Sequence, residues 1–185
     1  MSNDLRQPMI MRLDARDRIV DVNDAWLNFA VDNGAPALSR EGVVGKSLWD
    51  LVTDLDMSHL YRLLFDRVRQ RGSSVNFDFR CDAPAERRFL GLQINLLPDQ
   101  GLEIRTAVDA LETRPVVDLL SADSQRSGAT LEICSWCKQV RVGESDWREV
   151  EAAAEVLGLL DASTLPRLAH VTCPDCYERV MAELD

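Results

Sequence analysis

No leader and no membrane segment stand out in this chain of 185 residues. Its opening, MSNDLRQPMIMRLDARDR, lacks the apolar core of a secretory signal, and no later stretch approaches the roughly 18 apolar residues of a membrane span. Secretion and membrane insertion are unsupported, and a cytoplasmic location is the expectation. Positive charge is also short, with 21 Lys and Arg against 31 Asp and Glu and a formal net charge of −10. Phosphate backbones repel such a chain, which argues against nucleic acid as a partner. A glycine-rich phosphate loop, a Gly-x-Ser-x-Gly elbow and a His-Glu-x-x-His helix are all missing. There are only two histidines, and the carboxylates read as solvated surface, so no catalytic constellation is visible and a non-enzymatic role is expected.

What is present suffices for a folded protein. Apolar residues make up 46% and charged residues 28%, which makes a packed core feasible. MIMRLDARDRIVDVN holds two short apolar runs about the turn residues Asp14 to Asp17, the pattern of a hairpin. Asn23 or Asp24 is placed to cap the helix DAWLNFAVDNG, which Gly34 ends. In DMSHLYRLLFDRVRQRG, Leu60, Leu63, Leu64 and Val68 form a stripe at helical spacing, with Gly72 as C-cap. VNFDFRCD, RRFLGLQINLLP and GLEIRTAVDA then alternate with period two and predict three strands with one packed face. RCDAPAERRF, with Asp82, Glu86, Arg87 and Arg88 around Pro84, reads as a charged connection between strands.

Residues 9–112, with DARDRIVDVNDAW, the Gly-Lys of GKSLWDL and the closing three-strand meander, resemble a PAS sensory domain. The resemblance implies an α+β fold, an antiparallel sheet with flanking helices. It also implies a pocket for haem, flavin, a small organic ligand or nothing. A light-sensing flavin domain of this kind carries a cysteine in an Asn-Cys-Arg-type helix motif, which GKSLWDLV lacks. Haem needs an axial ligand. His59 is the one candidate inside the domain, and it falls at the edge of the Leu60, Leu64 and Val68 stripe. Cys81, on an apolar strand face, reads as a small buried hydrophobe.

Residues 113–130 change composition. Arg114-Pro115 disfavours helix, and SADSQRSGAT reads as a linker, with VVDLL ahead of it as a segment that packs on the sheet or contacts a partner. The remainder, 131–185, holds four of the five cysteines, in two Cys-x-x-Cys pairs. An odd count without a secretion signal argues against a disulfide framework. Haem c attachment needs His directly after the second cysteine of a pair, but Lys138 and Tyr177 stand there. Two such pairs in a short module fit a thioredoxin-like redox motif poorly. They do match a tetrahedral zinc site, with Cys134, Cys137, Cys173 and Cys176 each supplying one thiolate. Pro174 suits the first turn of a last helix, placing the second pair at a helix N-terminus, where thiolate charge is stabilised. His170 is the alternative ligand or a hydrogen-bonding support for the site. Oxidation of such thiolates would release the metal, so the zinc is expected to be structural or a redox switch. Asp146 and Glu149 have capping-box spacing for a helix carrying Trp147, Val150, Ala154 and Leu157, and Trp136 and Trp147 read as core.

The module also resembles a cysteine-rich C-terminal segment of some bacterial signalling proteins, on the residues CSWCKQVR, DWREVE and HVTCPDCYE. That resemblance implies association with a PAS domain and zinc-site geometry, and no reaction. The net charge of residues 131–185 is −6, the wrong sign for a nucleic-acid finger, so a protein partner or homodimer is expected. The combined expectation is a bacterial, non-catalytic sensor or interaction protein, with a haem-dependent gas or redox sensor using His59 as the alternative.

Overall fold

The computed structural model describes residues 7–52 and 55–184, with the side chain of residue 184 left aside. Residues 1–6, on which the reading of an absent leader partly rests, lie outside the described residues. Among the described residues no helix is long and apolar enough to cross a membrane. The chain divides into two compact units, one from the chain up to Asp78 with Leu90–Asp109, the other from Phe79–Phe89 with Ala110–Ala182.

The first unit opens with the expected hairpin, β1 (Met9–Leu13) and β2 (Ile19–Val22). Its turn is built by Asp14, whose Oδ1 accepts from the backbone N–H of Arg16 and of Arg18 at 2.8 and 2.9 Å. Asp17 takes the left-handed conformation there, φ 58°, and its carboxylate accepts from Trp49 Nε1 and pairs with Arg69 at 2.6 Å. Helix α1 (Asp24–Asp32) starts at Asn23. That side chain accepts from the N–H of Trp26 at 2.9 Å and of Ile10 at 3.0 Å, and its Nδ2 donates to Pro8 O. One amide therefore caps the helix and ties it to β1.

Two short elements follow, α2 (Arg40–Val43) and a 3-10 turn at Leu48–Asp50, and then the long helix α3 (Leu55–Arg71). Leu60, Leu64, Phe65 and Val68 form its buried face, so Phe65 takes the interior place that the spacing gave to Leu63. Strands β3 (Val75–Arg80), β4 (Glu86–Leu96) and β5 (Leu102–Thr113) complete the sheet in the order β2-β1-β5-β4-β3. β1 runs antiparallel to both β2 and β5. Leu13, Ile19, Leu90, Ile94 and Leu102 are fully buried on the packed face. Each such side chain contributes about 1.5–3 kcal/mol on burial. This is an α+β fold, a five-stranded sheet with flanking helices, as expected.

The second unit is a four-stranded sheet in the order β8-β7-β6-β9, comprising β6 (Arg126–Cys134), β7 (Val140–Arg141), β8 (Trp147–Arg148) and β9 (Leu165–Val171). β6 begins inside SADSQRSGAT, the stretch expected to be linker. Small polar residues hide it because its buried end, Ile133 and Cys134, comes only at the last two positions. β6 and β9 are parallel, which requires a crossover, supplied by α4 (Val150–Val156). α4 starts three residues later than the capping-box reading implied. Glu149 stands at the N-cap without a side-chain cap, Asp146 is drawn instead to Arg148, and Trp147 lies in β8. α5 (Pro174–Leu184) ends the described chain with Pro174 at its first position. VVDLL is half buried: Val117 and Leu119 sit in the core of this unit with Ile133, Val140, Val150 and Leu165, while Val116 is exposed.

Asn23→Ala is expected to destabilise the first unit by about 1–2 kcal/mol, the upper range for a lost cap, because the N–H of Ile10 loses its acceptor as well. Denaturant titration of the two proteins measures it, and an unchanged midpoint would contradict the dual role of Asn23.

Candidate metal centre

The parallel pairing of β6 and β9 sets Cys134 opposite Val171, so both strands finish at the same end of the sheet. Each then turns into a Cys-x-x-Cys segment. After β6 the turn is tight: Lys138 N–H donates to Cys134 O at 3.0 Å, Cys134 N–H donates to Gln139 O at 2.7 Å, and Lys138 adopts φ 63°. After β9, Cys173 leads into α5 and Cys176 lies in its first turn, with Tyr177 N–H donating to Cys173 O at 2.9 Å. Ser135 N–H donates to Val171 O at 2.8 Å and joins the two turns.

The result is a group of four metal-competent donors, Cys134, Cys137, Cys173 and Cys176, whose sulfurs all lie within 4.8 Å of one another. Cys134, Cys173 and Cys176 are buried, and Cys137 is partly exposed. Cys137 Sγ is 3.7 Å from Cys173 Sγ, and the backbone N–H of Cys173 donates to Cys134 Sγ at 3.4 Å. Such a group is capable of coordinating a metal ion. Hydrogen bonds from Cys137 and Cys176 and from nearby backbone N–H groups hold the Cys134 thiol far below the usual thiol range. Its neighbours shift the other way: the hydrogen bond to Cys134 pushes Cys137 up to about 12, the same contact raises Cys176, and burial raises Cys173. One sulfur can carry charge, but four cannot share so small a volume without a cation. The dipole of α5 assists at Cys173 and Cys176. Lys138 contributes locally, its Nζ donating to Ser135 O at 2.9 Å, while burial pushes its ammonium down against the pull of Cys81, Cys134 and Asp82.

Other residues singled out in the sequence lie elsewhere. His170 is exposed on β9 opposite Ile133 and is not part of the four-donor group. His59 is exposed on α3, so the candidate axial ligand of the alternative haem reading does not face the interior. A cavity among Met9, Ala25, Asn28, Phe29 and Val108 is water-sized, at about 40 Å³, and a larger, open depression of about 370 Å³ lies among Asn76, Phe77, Gly91, Gln93 and Arg105. Cys81 is partly exposed and lies just past the end of β3, so it is not the buried hydrophobe expected. Trp136 is fully buried, as expected of core.

The charged stretch after β3 is where the residues depart most from expectation. Asp82 is not solvated surface: its side chain is 0% exposed and pairs with Arg80 and with Arg114, itself 3% exposed. Arg80 also binds both oxygens of Glu149, at 2.9 and 2.7 Å. Arg114 and Arg87 meet Glu151 at 3.1 and 2.9 Å. Three guanidiniums and three carboxylates thus form a network that is buried at Asp82, Arg80 and Arg114 and partly exposed at Arg87, Glu149 and Glu151. No local signal marked it: by alternation Arg80 shares the polar side of β3 with Asn76 and Asp78, yet it is buried.

No family model and no curated protein matches this chain. Solved structures resemble it in outline. A domain of an HTR-like protein from Haloarcula marismortui superposes with a TM-score of 0.42 at 14% identity, covering 56% of this chain and 98% of that one. A sensory box sensor histidine kinase from Vibrio cholerae gives 0.43 at 15% identity, covering 58% and 86%. The photoactive yellow protein domain of the sensor histidine kinase Ppr from Rhodospirillum centenum gives 0.39 at 21% identity, covering 56% and 94%.

Two outcomes are expected of the network. Asp82→Ala should cost about 3–5 kcal/mol by leaving two buried guanidiniums without their shared carboxylate, read by denaturant unfolding of the second unit. Acid should weaken the same unit. Burial pushes the Glu151 carboxyl up, but its own backbone N–H and the Arg114 and Arg87 guanidiniums outweigh it and hold it below the ordinary 4.5. A depressed carboxyl contributes stability that is complete above its ordinary value and lost as pH falls through its folded value. The unfolding midpoint should therefore drop as pH falls below about 4.5, and Glu151→Gln should flatten that dependence.

Proposed function

We propose that this chain is a non-catalytic signal-sensing and protein-interaction protein, in which a PAS-like unit is coupled to a zinc site held by Cys134, Cys137, Cys173 and Cys176. The observation that carries the metal reading is a length. Four sulfurs about 2.3 Å from a central zinc define a tetrahedron with edges of about 3.8 Å. The 3.7 Å separation of Cys137 and Cys173 matches that edge, and the 4.8 Å limit on the whole group leaves only a small contraction. Four protein ligands leave no open position for substrate or activated water, which supports a structural site over a hydrolytic one. A cytoplasmic setting is consistent with five free cysteines, because that compartment keeps thiols reduced.

In this reading the second unit gains from zinc what its small core of short aliphatic side chains cannot supply. The metal presents β9 and α5 as a rigid surface for a protein partner or a second copy of the chain. No haem is assigned, since His59, the candidate axial ligand, is exposed.

One observation favours a redox-responsive variant. Cys137 is the partly exposed member of the set and lies 3.7 Å from Cys173. A peroxide would oxidise the Cys137 thiolate to a sulfenic acid. The Cys173 thiolate would then form a disulfide with it, releasing hydroxide, and zinc would leave with two ligands lost.

Protein purified under reducing conditions without chelator is expected to carry about one zinc per chain by elemental analysis. Cys173→Ser should lower that content and destabilise the second unit. A metal-free protein with an intact second unit, or iron with its thiolate charge-transfer colour, would contradict the zinc assignment.

A further inference from the structure

We infer that the hairpin Phe79–Phe89 positions the Cys134–Cys137 turn, so that metal affinity and the order of this hairpin are linked. The inference rests on the metal reading above. Trp136 lies between the two ligands of that turn, and both its backbone and its ring are gripped from one side. Its carbonyl accepts from the backbone N–H of Arg80 at 2.7 Å, and its ring meets Phe79 edge-on with centroids 6.4 Å apart.

The other end of the grip is the buried ion network. The Arg80 side chain is held by Glu149 at the start of α4, and Asp82 bridges Arg80 to Arg114. Arg114 fixes the tip of the hairpin, donating to Ala83 O at 2.7 Å and to Pro84 O at 3.3 Å, with its backbone N–H on Ala85 O at 2.9 Å. Arg80 therefore has two separate attachments, its backbone to the metal turn and its guanidinium to the network. Anything that lets the metal turn move removes the acceptor of Arg80 N–H. By linkage, anything that loosens Arg80 must weaken metal binding by the same factor. β3 and β4 run on from this hairpin into the first unit.

The test uses the full chain, loaded with zinc or stripped by chelator under reducing conditions, with metal content measured in each sample. Removal of metal is expected to speed amide exchange at Arg80 by about 5- to 150-fold, the span of ordinary coupling between sites, and to leave β1 and β2 unchanged. Glu149→Gln, which keeps the shape of the partner but not its charge, should weaken zinc at least 5-fold in competition with a chromophoric chelator. Arg80→Met should weaken it about 10- to 100-fold, as loss of support around ligands does, with Arg80→Lys recovering part. Should Arg80→Met fail to fold, Glu149→Gln and the exchange measurement decide. Unchanged Arg80 exchange after verified metal removal would overturn the inference while leaving the zinc site standing. Unaltered zinc affinity in Glu149→Gln would do the same. A chain that never holds metal would overturn both.

Discussion

Four sulfurs gathered within 4.8 Å are the constraint on which the second unit turns. Thiols so close compete for a single negative charge, and the opposed shifts of Cys134 and its neighbours express that competition. A divalent cation converts mutual repulsion into four bonds. The rest of the unit follows from delivering the sulfurs to one place. Parallel β6 and β9 end together, the left-handed Lys138 closes one turn, and Pro174 starts a helix whose N-terminus favours thiolate at the other.

The hydrophobic contribution here is modest, with Val117, Leu119, Ile133, Val140, Val150 and Leu165 at its centre. The unit offsets this with two polar devices of different character. The cysteine cluster is local in chemistry and is capable of coordinating an ion. The network of Arg80, Asp82, Arg87, Arg114, Glu149 and Glu151 is neutral in sum and joins three separate stretches of chain. Breaking such a network by removing one partner costs far more than the intact network contributes.

The cysteine pairs, the hairpin at Asp14, the Asn23 cap and the three-strand meander were legible because each is written in neighbouring residues. What escaped the sequence depends on distant ones. Arg80 and Glu149 are 69 residues apart, and nothing in RCDAPAERRF by itself distinguishes a buried carboxylate from a solvated one. β6 was hidden by a polar composition that suits a strand whose first residues are solvated. Asp146 has the spacing of a cap, yet Arg148 two residues away claims its carboxylate at 2.7 Å and the helix begins later. His59 sat at the margin of an apolar stripe, and the extra width of that stripe came from Phe65 on the other side.

The central claim is that the four cysteines together hold one zinc ion. X-ray absorption at the zinc edge of the purified chain tests it most directly. The account predicts a first shell of four sulfurs at about 2.3 Å and no nitrogen or oxygen ligand. A shell containing histidine nitrogen or water oxygen at about 2.0–2.1 Å would contradict it.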